Sequence, residues 1–549
     1  MNLTRYVHTI WYLRPIQIYG RLWVRLYRPR PSLAPAPPRR HAGTWQAWVW
    51  RPVLMPDATS MSFLNVTRRL ESPGDWDAAA VPKLWRYNLH YFDDLTAREA
   101  PQRMAWHRAL VERWIIENPP GVGTGWEPYP TSLRIVNWIK WALAAEARGE
   151  TALDGRSLDS LAAQVRWLRQ KLEIHILANH LWANAKALAF AGLFFDGPEA
   201  GSWLRKAEAI FRREIPEQVL ADGGHFERST MYQATLTEDV LDLINVYAAF
   251  SPATASDLAG RFRAIAPRML RWLRVMTHPD GKRSFFNDAA FGIAAEYGDL
   301  ARYADQLGLT VDAAPLAPIE VLETSGYARL ENARAVAICD VAPVGPDYLP
   351  GHAHADTLSF ELSIDNVRTF VNGGTSTYER GAERERQRGT AAHNTVVVDE
   401  QDSSEVWGSF RVARRARPFG VTWGQDAGAC WLAASHDGYR RLPGRVVHAR
   451  EWRLESAGLR VRDRIDGAFS SAFAVFHLHP TVAANPAVDG TVRLSMSGDD
   501  GLALLKTSPA TRVASAAGTW HPEFGRTEPA TVLSVPIGTT GALETVVTW

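Results

Sequence analysis

The hydrophobic pattern of this 549-residue chain changes its period beyond the middle. From Tyr91 to about residue 310, apolar residues recur at three- and four-residue steps, which indicates a series of amphipathic helices. Beyond about residue 320 the period is two, in short runs separated by Gly, Asp and Pro, which indicates strands joined by turns. Helices followed by strands predict two segregated domains, and a cleft between them would suit a long ligand.

Three parts of the chain follow from this pattern. Residues 1–90 read as a basic, aromatic extension that includes a Pro/Arg-rich wrap from Arg28 to Arg40. Residues 91–315 are predicted to form stacked helical hairpins, and residues 316–549 an antiparallel β domain.

The composition excludes several classes of protein. The net charge is +2, so the overall field does not favour nucleic acid, and any preference for an acidic ligand must come from local arginines. The two cysteines, Cys339 and Cys430, cannot supply a disulfide framework or a cysteine-rich zinc site. Tryptophan is abundant, with 22 copies, which suits sugar stacking, although most of these rings are expected in cores.

The first 31 residues contain neither a continuous apolar run nor a small-residue cleavage site, so they do not resemble a signal peptide. No apolar run of transmembrane length occurs elsewhere, and the cytoplasm is the predicted compartment. The stretch is basic, aromatic and amphipathic. It is expected to dock on its own domain, with peripheral attachment to a membrane surface as the alternative.

The segment "LANHLWANAKALAF" (Leu177 to Phe190) is a helical pattern that places Asn179 and His180 beside one apolar face. Asparagine is a poor helix former, because its side chain competes for backbone hydrogen bonds. A helix cap is its common role, and a functional role needs a partner from elsewhere in the chain.

The segment "DGGHFERSTMYQATLTEDV" places Glu227, Arg228 and Tyr232 before a helix predicted to begin near Thr235. An arginine beside a tyrosine can stabilise the phenolate and so make it a general base. The segment alone favours the alternative, in which Tyr232 is a core ring with a satisfied hydroxyl.

Three histidines, His352, His354 and His393, lie on adjoining β-like segments. Two histidines at i and i+2 of a strand point the same way and can share a metal ion, although such pairs also occur without metal. The arginine-rich run from Glu379 to Arg388 is either a solvated face or a binding surface for carboxylates and sulfates.

Taken together, five blocks resemble the heparinase II/III family of polysaccharide lyases: "ANHLWANAKALAFAG", "DGGHFERSTMY", "FFNDAAFG", "GHAHADTLSFEL" and "RGTAAHNTVVVDEQDSSEVWGSFRVARRA". The chain is most similar to the unsecreted branch found with surface-polysaccharide genes. The resemblance implies an (α/α) toroid followed by an antiparallel β-sandwich. It also implies β-elimination at a uronic acid of an acidic polysaccharide or oligosaccharide, which leaves 4,5-unsaturated uronate ends.

The resemblance also implies roles for individual residues. Asn179 would neutralise the substrate carboxylate, and Tyr232 and His352 would transfer protons, with His393 grouped beside them. The sugar contacts would come from Trp126, Glu127, Arg134, His180, Glu227 and Arg388. No cofactor is required, but some relatives hold a structural zinc at the positions of His354, Asn372 and His393. The middle position is usually Asp, and a neutral Asn is a poorer ligand.

Two other functions stay open at this point. A hydrolase on the same scaffold would need a carboxylic acid and a carboxylate base, for which Glu127, Asp222, Glu227 and Asp288 are available. Alternatively, the chain would be a non-cleaving, glycan-binding component of exopolysaccharide or lipopolysaccharide assembly. The sequence names neither the uronate polymer nor the oligomeric state.

Overall fold

The fold was examined in a computed structural model that describes residues 3–250, 257–426, 428–487, 491–496 and 499–549. The described residues contain twelve α-helices, numbered in chain order. They are α1 (Leu3–Ile10), α2 (Pro15–Leu26), α3 (Lys83–Tyr91), α4 (Met104–Glu117), α5 (Pro128–Glu146), α6 (Gly155–Gln170), α7 (Ala178–Phe194), α8 (Pro198–Gln218), α9 (Thr230–Phe250), α10 (Asp257–Val275), α11 (Tyr297–Gln306) and α12 (Ala382–Arg388).

The strands, in the same described part of the chain, lie mostly after residue 318. They are β1 (Ser60–Phe63), β2 (Val66–Arg69), β3 (Ile319–Leu322), β4 (Tyr327–Glu331), β5 (Ala335–Asp340), β6 (Phe360–Ile364), β7 (Val367–Phe370), β8 (Val396–Val398), β9 (Val406–Trp407), β10 (Arg411–Val412), β11 (Pro418–Asp426), β12 (Ala429–His436), β13 (Val447–Glu455), β14 (Gly458–Asp466), β15 (Ala472–His477), β16 (Val482–Pro486), β17 (Val492–Met496), β18 (Asp499–Ser508), β19 (Ala514–Trp520), β20 (Glu528–Pro536) and β21 (Ala542–Thr548).

The helices form the predicted (α/α) toroid. Helices α3, α5, α7, α9 and α11 pack in sequence as an inner layer, and α4, α6, α8 and α10 pack outside them. Inner helix α7 is buried along nearly its whole length, whereas outer helices α8 and α10 bury one face. This difference explains the sequence pattern, because a helix surrounded by protein is apolar on all sides and an outer helix is amphipathic.

The C-terminal part is an antiparallel β-sandwich, as predicted. An eight-stranded sheet has the order β11-β12-β13-β14-β21-β18-β17-β16, and it packs on a four-stranded sheet (β19-β20-β15-β8) and a five-stranded sheet (β3-β4-β5-β6-β7). The rings of Phe360 on β6, Trp452 on β13 and Phe476 on β15 meet in the core, with centroid distances of 6.4 Å and 6.2 Å from Phe360 to the other two.

The five-stranded sheet belongs to both hydrophobic cores. On β5, Val336 and Ile338 pack into the helical core, and the alternate residues Ala337 and Cys339 pack into the sandwich core. Successive side chains of a strand point to opposite faces, so this sheet joins the two domains. The functional residues described below lie at this junction.

The first 90 residues are partly integrated into the toroid. Residues 28–40 form no regular element apart from a single β-bridge of Arg39 with Phe195, in agreement with the predicted wrap. From Trp45 onward, side chains of this region enter the helical core, and α3 packs on α5. The exact division at residues 90 and 315 stays a prediction, because the packing runs across both positions.

Candidate active site

Three segments meet where the toroid faces the five-stranded sheet. They are the loop that leads into α9, the segment around Asp288 that follows α10, and the loop from Pro350 to Asp356 that precedes β6. The backbone N–H of Asp288 donates to the carbonyl of His352 (2.9 Å), and the Ser229 hydroxyl donates to the carbonyl of Asp288 (2.5 Å). These bonds fix the three segments relative to one another.

Asp288 is the charged centre of this junction. Its side chain is fully buried and accepts hydrogen bonds from both terminal nitrogens of Arg384, from His352 Nδ1 (2.8 Å) and from His354 Nε2 (2.9 Å). Burial by itself would raise the pKa of Asp288, but Arg384 and the two imidazoles bring it well below the ordinary carboxyl range. Asp288 is therefore ionised at neutral pH.

The hydrogen bond between His352 and Asp288 fixes the tautomer of His352. Because an ionised carboxylate accepts hydrogen bonds only, Nδ1 of His352 carries the proton that it donates to Asp288. The other nitrogen, Nε2, lies 3.7 Å from Oε2 of Glu227. In the neutral imidazole this nitrogen carries no proton and can accept one.

Glu227 is the second carboxyl group at this place. Its side chain is 2% exposed, and neither carboxyl oxygen has a hydrogen-bond partner of normal geometry among the described residues. Burial raises its pKa, against the opposing influence of His352, His180 and the Asn179 backbone N–H. A buried carboxyl group with unused oxygens suits the binding of a polar ligand group, because it can donate a proton when neutral.

Tyr232 lies in the first turn of α9, since this helix begins at Thr230 and not near Thr235 as predicted. Its ring packs on the His352 ring with a centroid distance of 4.0 Å, and its hydroxyl lies 3.2 Å from the hydroxyl of Tyr378. Burial raises the pKa of Tyr232 well above 10, and neighbouring Tyr378 adds to the effect. The hydroxyl therefore keeps its proton at neutral pH.

The suggested stabilisation of a Tyr232 phenolate by Arg228 is wrong. The Arg228 guanidinium donates to the backbone carbonyls of Ser325 (2.9 Å) and Phe226 (3.2 Å), and it is used to hold the loop. Arg228 and Tyr232 are close in sequence, but their side chains contact different partners, the Ser325 carbonyl for Arg228 and the Tyr378 hydroxyl for Tyr232.

Asn179 and His180 occupy the first turn of α7, as their position in the helical pattern required. Nδ1 of His180 lies 3.0 Å from Oε1 of Glu173, and its ring lies 4.4 Å from the Tyr129 ring. Burial opposes a charge on His180, yet the Glu173 carboxylate raises its pKa overall. His180 thus carries positive charge more readily than a free histidine does.

Left-handed backbone conformations adjoin three of these residues. Ala178 (φ 48°) precedes Asn179, Arg228 (φ 59°) follows Glu227, and Asn287 (φ 58°) precedes Asp288. This conformation is costly for residues with a Cβ atom and tends to concentrate at functional sites. Asn287 is the most tolerant of the three, and its side chain donates to the Arg228 carbonyl (2.9 Å) and accepts from the His354 backbone N–H (3.0 Å).

The assembled residues open into a cleft of about 460 Å³. Its walls include Asn179, His180, Glu227 and His352, and on the opposite side residues of α1 such as Tyr6. A smaller cavity of about 70 Å³ lies inside the toroid and is lined by Asn179, Tyr232, Tyr129, Lys186 and Asp239, among others. Asn179 therefore lines both spaces, whereas His352 lines the larger one and Tyr232, whose ring contacts His352, lines the smaller one.

Of the ten predicted catalytic and sugar-binding residues, the structure brings five together: Asn179, His180, Glu227, Tyr232 and His352. Trp126 and Arg134 are not at the cleft. Trp126 is 3% exposed and packs in the helical core, and Arg134 is fully buried, with its guanidinium bonded to Gln164 and to the carbonyls of Gly125 and His90. Sugar contacts by these two residues stay a prediction, which their burial in the helical core does not support.

Glu127 lines neither cavity. It precedes α5, and its carboxylate accepts from Lys83 Nζ (3.0 Å) and from the Tyr87 hydroxyl. A sugar contact at Glu127 would therefore lie away from the His352 cleft.

Arg388 and His393 are also buried away from the cleft. Arg388 donates to the carbonyl of Ala353 (2.8 Å), between the two histidines of their loop, so it positions this loop, and its predicted sugar contact is not supported by its burial. His393 is 1% exposed, and burial lowers its pKa to about 3. The grouping of His393 with the proton-transfer residues is not supported by its position.

The residues implied for zinc do not form a suitable site. Nδ1 of His354 and Nε2 of His393 are 3.3 Å apart and could meet one ion. Asn372, the middle of the three positions, donates its side-chain amide to the Phe285 carbonyl (2.8 Å). Its side-chain oxygen accepts a hydrogen bond from the Asn394 backbone N–H (3.3 Å). Among the described residues no group of three histidine, cysteine or carboxylate side chains could hold a metal ion, so no chemical step is assigned to one.

Sequence reasoning missed three residues of the site. Asp288 was considered only as a hydrolase carboxylate, although it stands in the "FFNDAAFG" block, and Tyr378 and Arg384 were not singled out. Arg384 comes from the arginine-rich run, most of which lies on the surface. Arg384 differs from its neighbours in the run only by its ion pair with Asp288, which is distant in the sequence, so the local sequence carries no signal for it.

A helical toroid joined to an antiparallel sandwich, with a polar cleft at the junction, is the architecture also found in heparinase III, and the family models that match this chain place it in a family of polysaccharide lyases. The chain belongs to the heparinase II/III family. The family model "Heparinase II/III N-terminus" matches residues 106–303, and "Heparinase II/III-like, C-terminal" matches residues 314–549. The resemblance noted in the sequence is thereby confirmed.

Two relatives have names that describe different properties, a localisation in one case and an enzyme activity in the other. FtsZ-localized protein C of Caulobacter vibrioides is 26% identical over 453 residues, which cover 77% of this chain and 74% of that protein. Heparin-sulfate lyase of Bacteroides stercoris is 27% identical over 268 residues, covering 43% of this chain and 39% of the lyase.

Solved structures confirm the fold. The crystal structure of heparinase III superposes with a TM-score of 0.70 at 18% identity and covers 88% of this chain and 80% of its own. Heparan sulfate lyase HepC from Pedobacter heparinus gives a TM-score of 0.54 at 18% identity, with 88% and 79% covered. At this identity the similarity establishes the architecture, and the chemistry must be argued from the site itself.

A bilayer-spanning segment was not expected from the sequence. In the part of the chain that the structure describes, none of the helices combines the length and the apolar character needed to cross a membrane.

Proposed function

We propose that this protein cleaves a uronic-acid-containing polysaccharide or oligosaccharide by β-elimination and leaves a 4,5-unsaturated uronate at the new end. The proposal depends most on one observation, the bond from His352 Nδ1 to buried, ionised Asp288, which leaves Nε2 as a base toward the cleft. Membership of the heparinase II/III family supports the same class of reaction.

Elimination begins with recognition of the uronate carboxylate. The side-chain amide of Asn179 and a protonated Glu227 would donate to the carboxylate oxygens, and His180 would add positive charge nearby. Neutralising the carboxylate makes the C5 proton more acidic, because negative charge develops on the carboxyl group as the proton leaves. The unused oxygens of Glu227 are the main support for this assignment.

His352 would act as the base. Its Nε2 takes the C5 proton while Nδ1 stays bonded to Asp288, which stabilises the imidazolium that forms. The electron pair of the C5–H bond forms the C4=C5 double bond, and the C4–O4 bond breaks toward the departing sugar.

Tyr232 would act as the acid. Its raised pKa keeps the proton on the hydroxyl at neutral pH, and transfer of this proton to O4 completes the departure of the leaving group. The hydroxyl of Tyr378, 3.2 Å away, can orient the Tyr232 hydroxyl toward the substrate. The step is balanced, since one proton leaves C5 and one reaches O4.

The test is ultraviolet absorbance of the conjugated product during incubation with a panel of glycosaminoglycans, alginates and bacterial exopolysaccharides. We expect a rise with at least one polymer, and a fall in kcat of about a hundredfold to ten-thousandfold in Tyr232→Phe. Tyr87→Phe is the matched control, because that hydroxyl binds Glu127 and lines neither cavity. Equal loss in both variants would contradict the role of Tyr232.

Hydrolysis by two carboxyl groups is less well supported. The oxygens of Asp288 are taken by Arg384 and the histidines, and Asp222 is bonded to Ser325 and the Gly224 backbone. Asp347, the other carboxylate among the described cleft residues, pairs with Arg415 and Arg417. New reducing ends without an absorbance rise would favour this function.

A non-cleaving role is the second candidate, and it is favoured by the similarity to a protein named for its localisation with FtsZ. In that case the cleft would bind an acidic glycan without turnover. Binding of a labelled polymer with neither absorbance nor reducing ends would support it. The cytoplasmic location stays a prediction, which cell fractionation would check.

A further inference from the structure

The helices α1 and α2 expose an unusual amount of apolar surface. Ten of the nineteen large hydrophobic side chains that the described residues expose lie between Leu3 and Leu33. The most exposed are Trp11 at 82%, Leu26 at 79% and Leu3 at 72%. Single exposed apolar residues are ordinary, but a contiguous patch marks an interaction surface.

The exposed residues form one stripe on each helix. On α1 and just beyond it they are Leu3, Val7, Ile10 and Trp11, and on α2 they are Ile18, Tyr19, Leu22, Trp23 and Leu26. Spacings of three and four residues place side chains on one face of a helix. Each helix therefore has an intact apolar face that points away from the protein.

The opposite face holds the helices on the body of the protein through apolar, polar and small residues, and it includes Ile16, which packs against the helical core, and Tyr6, whose ring lies 4.7 Å from the Trp407 ring. The Trp407 indole N–H donates to the Thr9 hydroxyl (3.2 Å), and the Gln17 amide donates to the Tyr348 carbonyl (3.0 Å). At Gly20, a Cβ atom would come within 2.6 Å of the His175 Cβ, so α2 lies directly against the toroid. A surface helix usually turns its apolar side inward, whereas each of these helices also carries an apolar stripe on its outer face.

The charge of the N-terminal region indicates which kind of partner the outer face of α1 and α2 would bind. Residues 1–56 contain nine arginines and no Lys, Asp or Glu, whereas the whole chain has a net charge of only +2. Five of the nine pair with carboxylates elsewhere in the protein, namely Arg5, Arg14, Arg39, Arg40 and Arg51. Arg25, Arg28 and Arg30 are exposed at the end of α2 and just after it. An apolar stripe with interfacial Trp and Tyr, flanked by arginines only, is the pattern of helices that lie in an anionic membrane surface.

We propose that the outer face of α1 and α2 binds the headgroup and upper acyl region of an anionic lipid bilayer. The Trp11, Leu22 and Trp23 side chains enter the bilayer, and the arginines pair with lipid phosphates. Because Tyr6 and Thr9 on the inner side of α1 line the cleft, this attachment places the cleft about one helix diameter, roughly 10 Å, from the membrane.

The experiment is co-sedimentation of the full chain with vesicles of phosphatidylcholine alone or of phosphatidylcholine mixed with phosphatidylglycerol, at low and high salt. We expect binding to the mixed vesicles that weakens as salt rises. Trp11→Glu/Leu22→Glu should lower the partition coefficient about tenfold or more. Arg25→Gln/Arg28→Gln should lower it about fivefold for each arginine removed.

The matched control is Ile116→Glu/Val122→Glu, since these side chains are 58% and 63% exposed on another part of the toroid. This variant should bind as the wild type does. Absence of binding to either vesicle, or equal and salt-independent binding to both, would overturn the proposal. Self-association in sedimentation velocity that Trp11→Glu/Leu22→Glu abolishes, without vesicle binding, would assign the face to a second copy and would also overturn it.

Discussion

Asp288 and His352 are joined by a hydrogen bond of 2.8 Å from Nδ1 to Oδ2, although they are 64 positions apart in the sequence. The same carboxylate accepts from His354 through its other oxygen and from Arg384 through both. The buried Asp288 carboxylate thus orients His352, which is the proposed base, and also orients His354. It balances the positive charge of the buried Arg384 as well.

Asp288→Asn should be strongly destabilising. The change leaves Arg384 buried without its counter-charge, and breaking a buried ion pair costs about 3 to 5 kcal/mol. Urea unfolding followed by circular dichroism would measure this loss. The control is Asp466→Asn, whose side chain is 52% exposed and pairs with an Arg464 side chain that is 73% exposed, so its loss should cost at most about 1 kcal/mol. Similar values for both variants would show that the Asp288–Arg384 pair is not an essential support.

Glu227→Gln should change how stability depends on pH. Burial raises the folded-state pKa of Glu227 above the unfolded value of about 4.3, so the folded protein binds a proton more tightly there. This contribution is fully present below the unfolded pKa and is lost as pH rises through the folded pKa. A glutamine cannot ionise, so the variant should gain stability relative to the wild type as pH increases.

The measurement is the free energy of unfolding in urea for both proteins at several pH values. Glu217→Gln is a control of opposite sign, because hydrogen bonds from Tyr348 and Arg14 outweigh burial and lower the pKa of Glu217. Its wild-type carboxylate stabilises the fold above the unfolded pKa and loses that contribution in acid. A constant difference between Glu227→Gln and the wild type would contradict the raised pKa. Retained elimination in Glu227→Gln would support a donor role, and its loss would indicate that the carboxylate itself is needed.

The sequence predicted the architecture well and the site only in part. The change of hydrophobic period near residue 320 is a physical property of helices and strands, so it located the toroid and the sandwich correctly. The motif blocks contained Asn179, Tyr232 and His352, which do meet in space. Order along the chain cannot show which side of an element faces a cleft.

Arg134 and Asp288 illustrate that limit. An arginine that the family resemblance implies as a sugar contact is expected at a surface, but Arg134 lies over the Trp114 ring at 3.8 Å and donates to buried carbonyls. Asp288 has no distinctive local pattern, because its partners come from segments 64 to 96 positions away. Such pairings depend on the three-dimensional fold and leave no periodic signal.

Zinc should not stabilise the wild-type protein. His354 and His393 offer two nitrogens, whereas even a zinc site completed by water has three protein ligands, and the Asn372 side chain is bonded to the backbone. Thermal unfolding should give the same Tm with added zinc and with a chelator. Asn372→Asp, which supplies a carboxylate, is the comparison in which zinc should raise Tm. A rise of several degrees in the wild type would contradict the geometric argument.

Ala178→Gly should test whether the backbone before Asn179 is strained. Ala178 is buried and left-handed, at a φ of 48°, and this conformation costs an L-residue about 1 to 2 kcal/mol. Glycine removes that cost and adds an entropy penalty of about 0.5 to 1 kcal/mol, so the variant should be as stable as the wild type or up to about 1.5 kcal/mol more stable. Ala183→Gly, in the interior of the same helix, should instead lose about 1 kcal/mol. Urea unfolding of the two variants compares them directly, and equal destabilisation would mean that Ala178 stores no strain. If strain is present, its release should also lower kcat, because Asn179 would be held less firmly beside His352.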